Sequence, residues 1–336
     1  MPETRIDEVP ELSPYLVRLR SLGYRTTDQV VGSAQVAGDL LSAYLKIDRQ
    51  ALISLVAKIP QRPKPRGMQA IPARKRALGV RLERVPRPRR ALMMSAEAAT
   101  PLPPKVSLMA EMQPVRDQAE RGTCVAHAST AAAEHYWRSQ QKVLDLSRQF
   151  LYWDCKQHDG DPNAEGTWIG VAMPLLQSEG CCLETTWPYV PTPVPGNESQ
   201  DPPPAGAVTD AANYKIPAFY QLSPTSILDI KSELARGRCV AFSIPVFNSW
   251  FQNDEVTRTG EIVNPIPNEQ DVGGHAMCFV GYEDVADEPD LGGGKFYLRN
   301  SWDAYWATES VLGTPGYGTI PYSYIARFGS EAYSIG

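Results

Sequence analysis

Cys124 lies in the run Gln118-Ala119-Glu120-Arg121-Gly122-Thr123-Cys124-Val125-Ala126-His127-Ala128. A polar, glycine-bearing loop precedes it. Residues 125–140 are rich in alanine and free of Gly and Pro, which predicts a helix. The thiol therefore stands at a junction of loop and helix. Unpaired backbone N–H groups and the positive end of the helix dipole favour an anion there, so the thiolate is expected over the thiol. A cysteine serving only as a small buried hydrophobe needs no such place. Gln118, six residues upstream, carries a side-chain N–H donor. With the Cys124 backbone N–H it would form a two-donor oxyanion hole.

A thiolate nucleophile needs a base that also protonates the leaving amine, and a group to orient that base. Of the four histidines, His127 and His135 fall on the predicted helix of Cys124. His127, at i+3, has no evident orienting partner and reads as a helix-packing side chain. His158 reads as a solvated loop residue. His275 is different: it follows Gly273-Gly274 and opens the apolar run 276–282, a polar residue at the mouth of an otherwise buried strand. The next predicted strand ends in Asn300-Ser301-Trp302. The Asn300 amide can accept from an imidazole N–H, and Trp302 can shield that bond from water.

With these residues in this order the sequence resembles the papain-like (C1 family) cysteine peptidases. Pro114-Val115-Arg116-Asp117-Gln118 followed by Gly122-Thr123-Cys124-Val125-Ala126 is similar to the family's "PVRDQ…GSCWAF" segment. Gly274-His275-Ala276 with Val280-Gly281-Tyr282 is similar to "HAV…VGY". Asn300-Ser301-Trp302 with Trp306 is similar to "NSWG…W", and Gly316-Tyr317-Gly318 to the strand that follows. Lesser matches are 146–149 with Asp154-Cys155, and 184–189. The resemblance runs from about residue 102 to 328. It implies Cys124 as nucleophile, His275 as general base and acid, Asn300 as its orienter and Gln118 as oxyanion donor, with peptide hydrolysis through a thioester acyl-enzyme. Gly166, Gly274, Trp302 and Trp306 are the candidates for lining the substrate cleft.

Three positions depart from the family pattern. Val125 replaces the aromatic after the nucleophile, His127 stands at a second aromatic position, and Arg121 replaces a cysteine, so the usual disulfide cannot form. Arg121 also places a cation near the site. The Cys-to-His gap is 151 residues, at or just past the roughly 130–150 of papain-like enzymes. Insertions at 190–206 and 252–272 can absorb the excess. The chain looks more like bacterial members of the family than like secreted ones.

The 336 residues suggest a large domain with an appendage, and 43% hydrophobic content is ordinary for a globular protein. No apolar run reaches the roughly 18 residues of a membrane span, and residues 1–10 lack a signal-peptide core. The expected location is cytoplasmic, or outside the cell by a route without such a signal. Six cysteines at irregular spacing make no disulfide scaffold, and no His/Cys cluster has zinc-ligand spacing, so no cofactor or metal is expected.

Charge is uneven. Residues 61–90 hold eleven Lys or Arg against Glu83, a local +10, which leaves −15 on the remainder of a chain whose net charge is −5. The stretch has no interleaved aromatic to stack on bases, which argues against nucleic acid. Its many prolines make it a poor former of a core, as in a linker. Its charge suits an acidic groove of the main domain, as a propeptide would.

The expected architecture is α+β: a papain-like two-subdomain fold, with a helical part, a β-sheet or barrel part and a cleft between, plus a small N-terminal helical module. The expected divisions are 1–59 (helical module), 60–101 (basic Pro-rich linker or propeptide-like segment) and 102–336 (peptidase domain). In the module, one helix ends at Gly23, a short one follows the cap at 26–28, and a longer one covers 42–58. In the main domain, helices are expected at 124–140, 147–156, 167–179 and 227–236, the last with Asp229, Lys231 and Glu233 outward. Strands are expected at 239–247, 275–282, 295–300 and 318–321. The partner implied is a protein or peptide substrate, with residues 60–101 as an intramolecular inhibitor. Two other readings stay open: a catalytically silent papain-like binding module, and a peptide ligase or deconjugating enzyme using the same thioester.

Overall fold

The computed structural model describes residues 3–62, 77–83, 92–93 and 101–336. The remainder of the basic Pro-rich stretch lies outside the described residues.

The N-terminal part holds helices α1 (Leu16–Ser21), α2 (Thr27–Leu45) and α3 (Arg49–Lys58). Thr26 caps α2 through a reciprocal box with Gln29. The expected order, a short helix then a long one, is reversed. Lys46 adopts a left-handed conformation at φ 61° and stops α2, and Asp48 caps α3 by accepting from the Ala51 N–H. The apolar period runs through 42–58 without a break, so this turn was invisible to periodicity. The helices bury Leu12, Leu19, Tyr24, Val30, Leu41 and Leu52 in a core that also takes in Val263 and Ile266.

In the main domain, helices α4 (Cys124–Ser139), α5 (Arg148–His158), α6 (Ile169–Ser178), α7 (Ala207–Ala211) and α8 (Ile227–Ala235) precede most of the sheet. A short helix, α9 (Asn248–Phe251), precedes the polar insertion, another, α10 (Asp254–Thr259), forms within it, and α11 (Tyr322–Phe328) comes near the end. The strands are β1 (Leu92–Met93), β2 (Lys105–Ser107), β3 (Phe219–Gln221), β4 (Val240–Phe247), β5 (Asp271–Asp284), β6 (Gly294–Arg299), β7 (Tyr317–Pro321) and β8 (Glu331–Ile335). They form one sheet in the order β1-β3-β8-β4-β5-β6-β7, with β2 pairing β5. All of these pairs are antiparallel except β1 with β3. Helix α4 packs on β5, β4 and β8 on one side and on α5 and α6 on the other, so the helical and sheet parts share one core. Among the described residues, no helix is long and apolar enough to cross a membrane.

One surface expectation is corrected. Glu233 is buried, and its carboxylate accepts from Arg236, Arg238 and Ser334. A helix wheel drawn on α8 alone cannot see the strand β8 that covers that face. His158 is exposed as expected, but it is the last residue of α5 rather than a loop residue, with Nδ1 2.9 Å from the Asp154 carbonyl oxygen.

Candidate active site

Cys124 is the first residue of α4, and the loop before it is held from several sides. The Gly122 N–H donates to Glu165 Oε1 at 2.6 Å, and the Gln118 N–H to the Ser301 carbonyl at 2.8 Å. The Gln118 side chain is buried. Its Oε1 accepts from Ser301 Oγ at 2.6 Å, and its Nε2 donates to the carbonyls of Arg121 (2.9 Å) and Ala77 (3.0 Å).

His275 lies in β5 opposite Ile244 of β4. The buried ring puts Nε2 2.9 Å from Asn300 Oδ1, and the same oxygen accepts from the Ser301 N–H at 2.8 Å. An amide oxygen only accepts, so Nε2 carries the proton and Nδ1 is the unprotonated ring nitrogen. The Trp302 ring stacks on the imidazole at 4.5 Å and 17°. The backbone N–H of Ala276, the next residue, reaches the Cys124 sulfur. Three distant pieces of chain thus converge: the start of α4, β5, and the segment leaving β6.

Residues 77–83 run across this same place. Val80 bridges Thr167 in parallel and Gly274 in antiparallel fashion. Its N–H donates to the Gly274 carbonyl (3.0 Å), while the Thr167 N–H donates to the Gly79 carbonyl (3.0 Å). A Cβ at Gly166 would stand 2.6 Å from the Gly79 carbonyl oxygen, and one at Gly274 2.5 Å from that of Val80. Both glycines are therefore required for this close backbone approach. The Gly79 N–H also reaches the Cys124 sulfur. Arg81 pairs with Asp161 and lies over the Trp168 ring, and the Trp168 indole N–H donates to the Glu83 carbonyl.

This cover alters the cysteine. Cys124 is fully buried, and burial pushes its thiol up to about 12, against the pull of the N–H groups of Ala276 and Gly79. The thiolate expected from the helix start alone is not the form of this covered state, because desolvation outweighs the N–H donors.

Trp306 is buried behind Trp302, its ring edge-on at 6.1 Å. Trp250 and Phe251 of α9 pack on Trp302 as well, a shield not anticipated from the sequence. Arg121 does not face the thiol. It is buried and turned away, donating to Gln149 Oε1 (2.6 Å) and the carbonyls of Val190 (2.8 Å) and Glu198 (2.9 Å). At the position of a family disulfide, it ties the Cys124 loop to the 190–198 loop without a covalent bond. His127 is buried and packed as a neutral ring, with Nδ1–H donated to the Thr123 carbonyl at 3.0 Å. Among the described residues, no group of three or more His, Cys, Asp or Glu is arranged to hold a metal.

The family model described as papain family cysteine protease matches residues 103–317. The chain belongs to the papain family of cysteine proteases. In structure it is similar to xylellain, a cysteine protease from Xylella fastidiosa, with 29% identity and a TM-score of 0.64 over 78% of this chain and 96% of that one. A digestive procathepsin L 3 of Tenebrio molitor shares the fold at 18% identity and a TM-score of 0.54, covering 76% of each chain. In sequence, the chain is 29% identical to a peptidase C1-like protein of Acanthamoeba polyphaga mimivirus, over 62% of this chain and 65% of that protein. It is 24% identical to cysteine proteinase 1 of Entamoeba histolytica, over 60% of this chain and 59% of that one. The chain thus spans about three-fifths to two-thirds of the length of these curated relatives. The N-terminal helices lie outside the family match.

Proposed function

We propose that this papain-family protein is a cysteine endopeptidase held in check by its own residues 77–83. The observation that carries the catalytic reading is the convergence at one sulfur. The Ala276 N–H is a donor that pulls on the Cys124 thiol, and the adjacent His275 is fixed by Asn300 with its proton on Nε2, so that Nδ1 can take part in proton transfer.

In the uncovered enzyme Nδ1 takes the Cys124 proton, and thiolate and imidazolium stabilise each other. The sulfur attacks the scissile carbonyl carbon, and the oxyanion forms against Gln118 Nε2–H and the Cys124 N–H. The C–N bond breaks as Nδ1–H protonates the leaving amine, which leaves a thioester. Nδ1 then deprotonates water, the hydroxide adds to the thioester carbonyl, and the C–S bond breaks to release the acid.

The contacts of residues 77–83 support the inhibitory reading. The Ala77 carbonyl takes the Gln118 Nε2 donor that the oxyanion needs. Gly79 turns its N–H toward the sulfur and its carbonyl toward Thr167, so the nucleophile meets a donor in place of an electrophilic carbon. The test is hydrolysis of quenched fluorescent peptides by the wild-type chain, Val80→Asp and Cys124→Ser. Burying a carboxylate between Thr167 and Gly274 should displace residues 77–83 and raise turnover at least tenfold, with none in Cys124→Ser. Equal rates for wild type and Val80→Asp would remove the inhibitory role. Turnover surviving Cys124→Ser would remove the catalytic one.

A further inference from the structure

Resting on this reading, we infer that Tyr189 is a positioning residue for the oxyanion hole: its hydroxyl ties together the two ends of the loop that carries both donors. Tyr189 OH donates to the Gln118 backbone carbonyl at 2.8 Å. The same oxygen is 2.7 Å from Thr123 Oγ1. Its single proton is spent on a carbonyl that can only accept, so Thr123 must be the donor in the second bond. The directions of both bonds are then settled: Thr123 O–H donates to Tyr189, and Tyr189 O–H to the Gln118 carbonyl.

The two residues so joined are those that flank the hole. Gln118 supplies the side-chain donor, and Thr123 immediately precedes the Cys124 N–H. Ala119, between them, sits at φ 52°, a left-handed conformation that a non-glycine residue keeps only when its surroundings enforce it. The phenol is itself well held. The Tyr189 N–H donates to Glu184 Oε1 at 2.8 Å, the His127 ring meets it edge-on at 4.9 Å, and the Arg121 guanidinium lies over its face at 5.5 Å. Burial pushes the phenol up to about 12, so the donor proton stays in place across the working range. Arg121 also binds the carbonyls of Val190 and Glu198, so the loop after Tyr189 and the loop before Cys124 are held as one body.

A donor misplaced by a fraction of an ångström loses transition-state stabilisation while ground-state binding of the substrate backbone is kept. Removing an oxyanion donor outright lowers kcat by roughly 10²–10³-fold, so loosening one should cost about tenfold. The experiment compares Tyr189→Phe, Thr123→Val, Gln118→Ala and Gln118→Ala with Tyr189→Phe, all in the full chain carrying Val80→Asp. The expected result is kcat about tenfold lower for Tyr189→Phe and Thr123→Val with KM nearly unchanged, and a clearly smaller loss when Tyr189→Phe is added to Gln118→Ala, where only the Cys124 N–H is left to misplace. A Tyr189→Phe enzyme at parental kcat, or a loss that multiplies in full with that of Gln118→Ala, would overturn the inference. Hydrogen exchange of the 118–124 amides gives a readout independent of turnover. It should rise in Tyr189→Phe, and unchanged exchange there would equally overturn it. Absence of turnover in the parental Val80→Asp chain would count against the peptidase reading alone.

Discussion

His275 Nε2 stands 2.9 Å from Asn300 Oδ1 under the Trp302 ring, and that bond places the imidazole proton on Nε2. Replacing Asn300 with Ala frees the ring, and kcat should fall by about 10- to 100-fold with KM nearly unchanged. Asn300→Asp tests the electrostatics. A carboxylate at this position favours the imidazolium, so the alkaline limb of the pH–rate profile, where the imidazolium is lost, should move to higher pH. A limb that stays in place or moves down would contradict the assigned bond.

Cover and thiol are linked. With residues 77–83 in place the Cys124 thiol is pushed up to about 12, so its alkylation rate by iodoacetamide should keep climbing with pH to at least pH 10. In Val80→Asp, uncovering removes part of the burial that raises the value. The rate should then level off at lower pH, and identical profiles would show that the cover does not set the thiol's protonation.

The N-terminal helices are keyed into the main domain at Gly32. A Cβ there would lie 2.1 Å from Oδ1 of the buried Asn253, whose Nδ2 donates to Ser33 Oγ at 3.2 Å and whose Oδ1 caps α10 through the Glu255 N–H at 3.0 Å. Glycine to alanine inside a helix ordinarily stabilises by about 0.5–1 kcal/mol. Here Gly32→Ala should destabilise by about 1–3 kcal/mol in urea unfolding, because Asn253 must move. A gain in stability would mean that the contact is soft.

His127 bears on acid stability. Burial, the largest cause, pulls its pKa down to about 3, and Nε2 has no hydrogen-bond partner among the described residues. A ring that is neutral when folded and protonatable when unfolded contributes stability above about pH 6.5, lost as pH falls from there toward 3. The slope from this one group is about 1.4 kcal/mol per pH unit. His127→Phe should therefore lose less stability than the wild type between pH 6 and 4. Parallel curves would place the acid sensitivity elsewhere.

Much of the candidate site was legible because its chemistry demands fixed residue types beside recognisable boundaries. Cys124 begins the alanine-rich α4, His275 lies within β5 just before its apolar run, and Asn300 follows directly on β6. What escaped depends on long-range packing. The Arg121 ties to the 190–198 loop cross about seventy residues of chain, so a lone cation gave no hint that it points away from the thiol. Burial of Glu233 depends on β8, a hundred residues on, whose short run 331–335 carries no turn signal of its own. The α2–α3 boundary turned on one left-handed lysine, Lys46, which no apolar period records. The N–H groups at the start of α4 do pull on the Cys124 thiol, but burial under residues 77–83, which no local stretch of sequence encodes, outweighs them.

The central claim is that Cys124 and His275 act as one nucleophilic unit, and thiol-specific labelling tests it most directly. The Val80→Asp chain is treated with an epoxide-type thiol inhibitor and the adduct mapped by mass spectrometry, in parallel with the same chain carrying His275→Ala. A single adduct on Cys124, at least a hundredfold slower in His275→Ala, is the predicted result. Labelling spread equally over the six cysteines, or a Cys124 rate indifferent to His275, would contradict it.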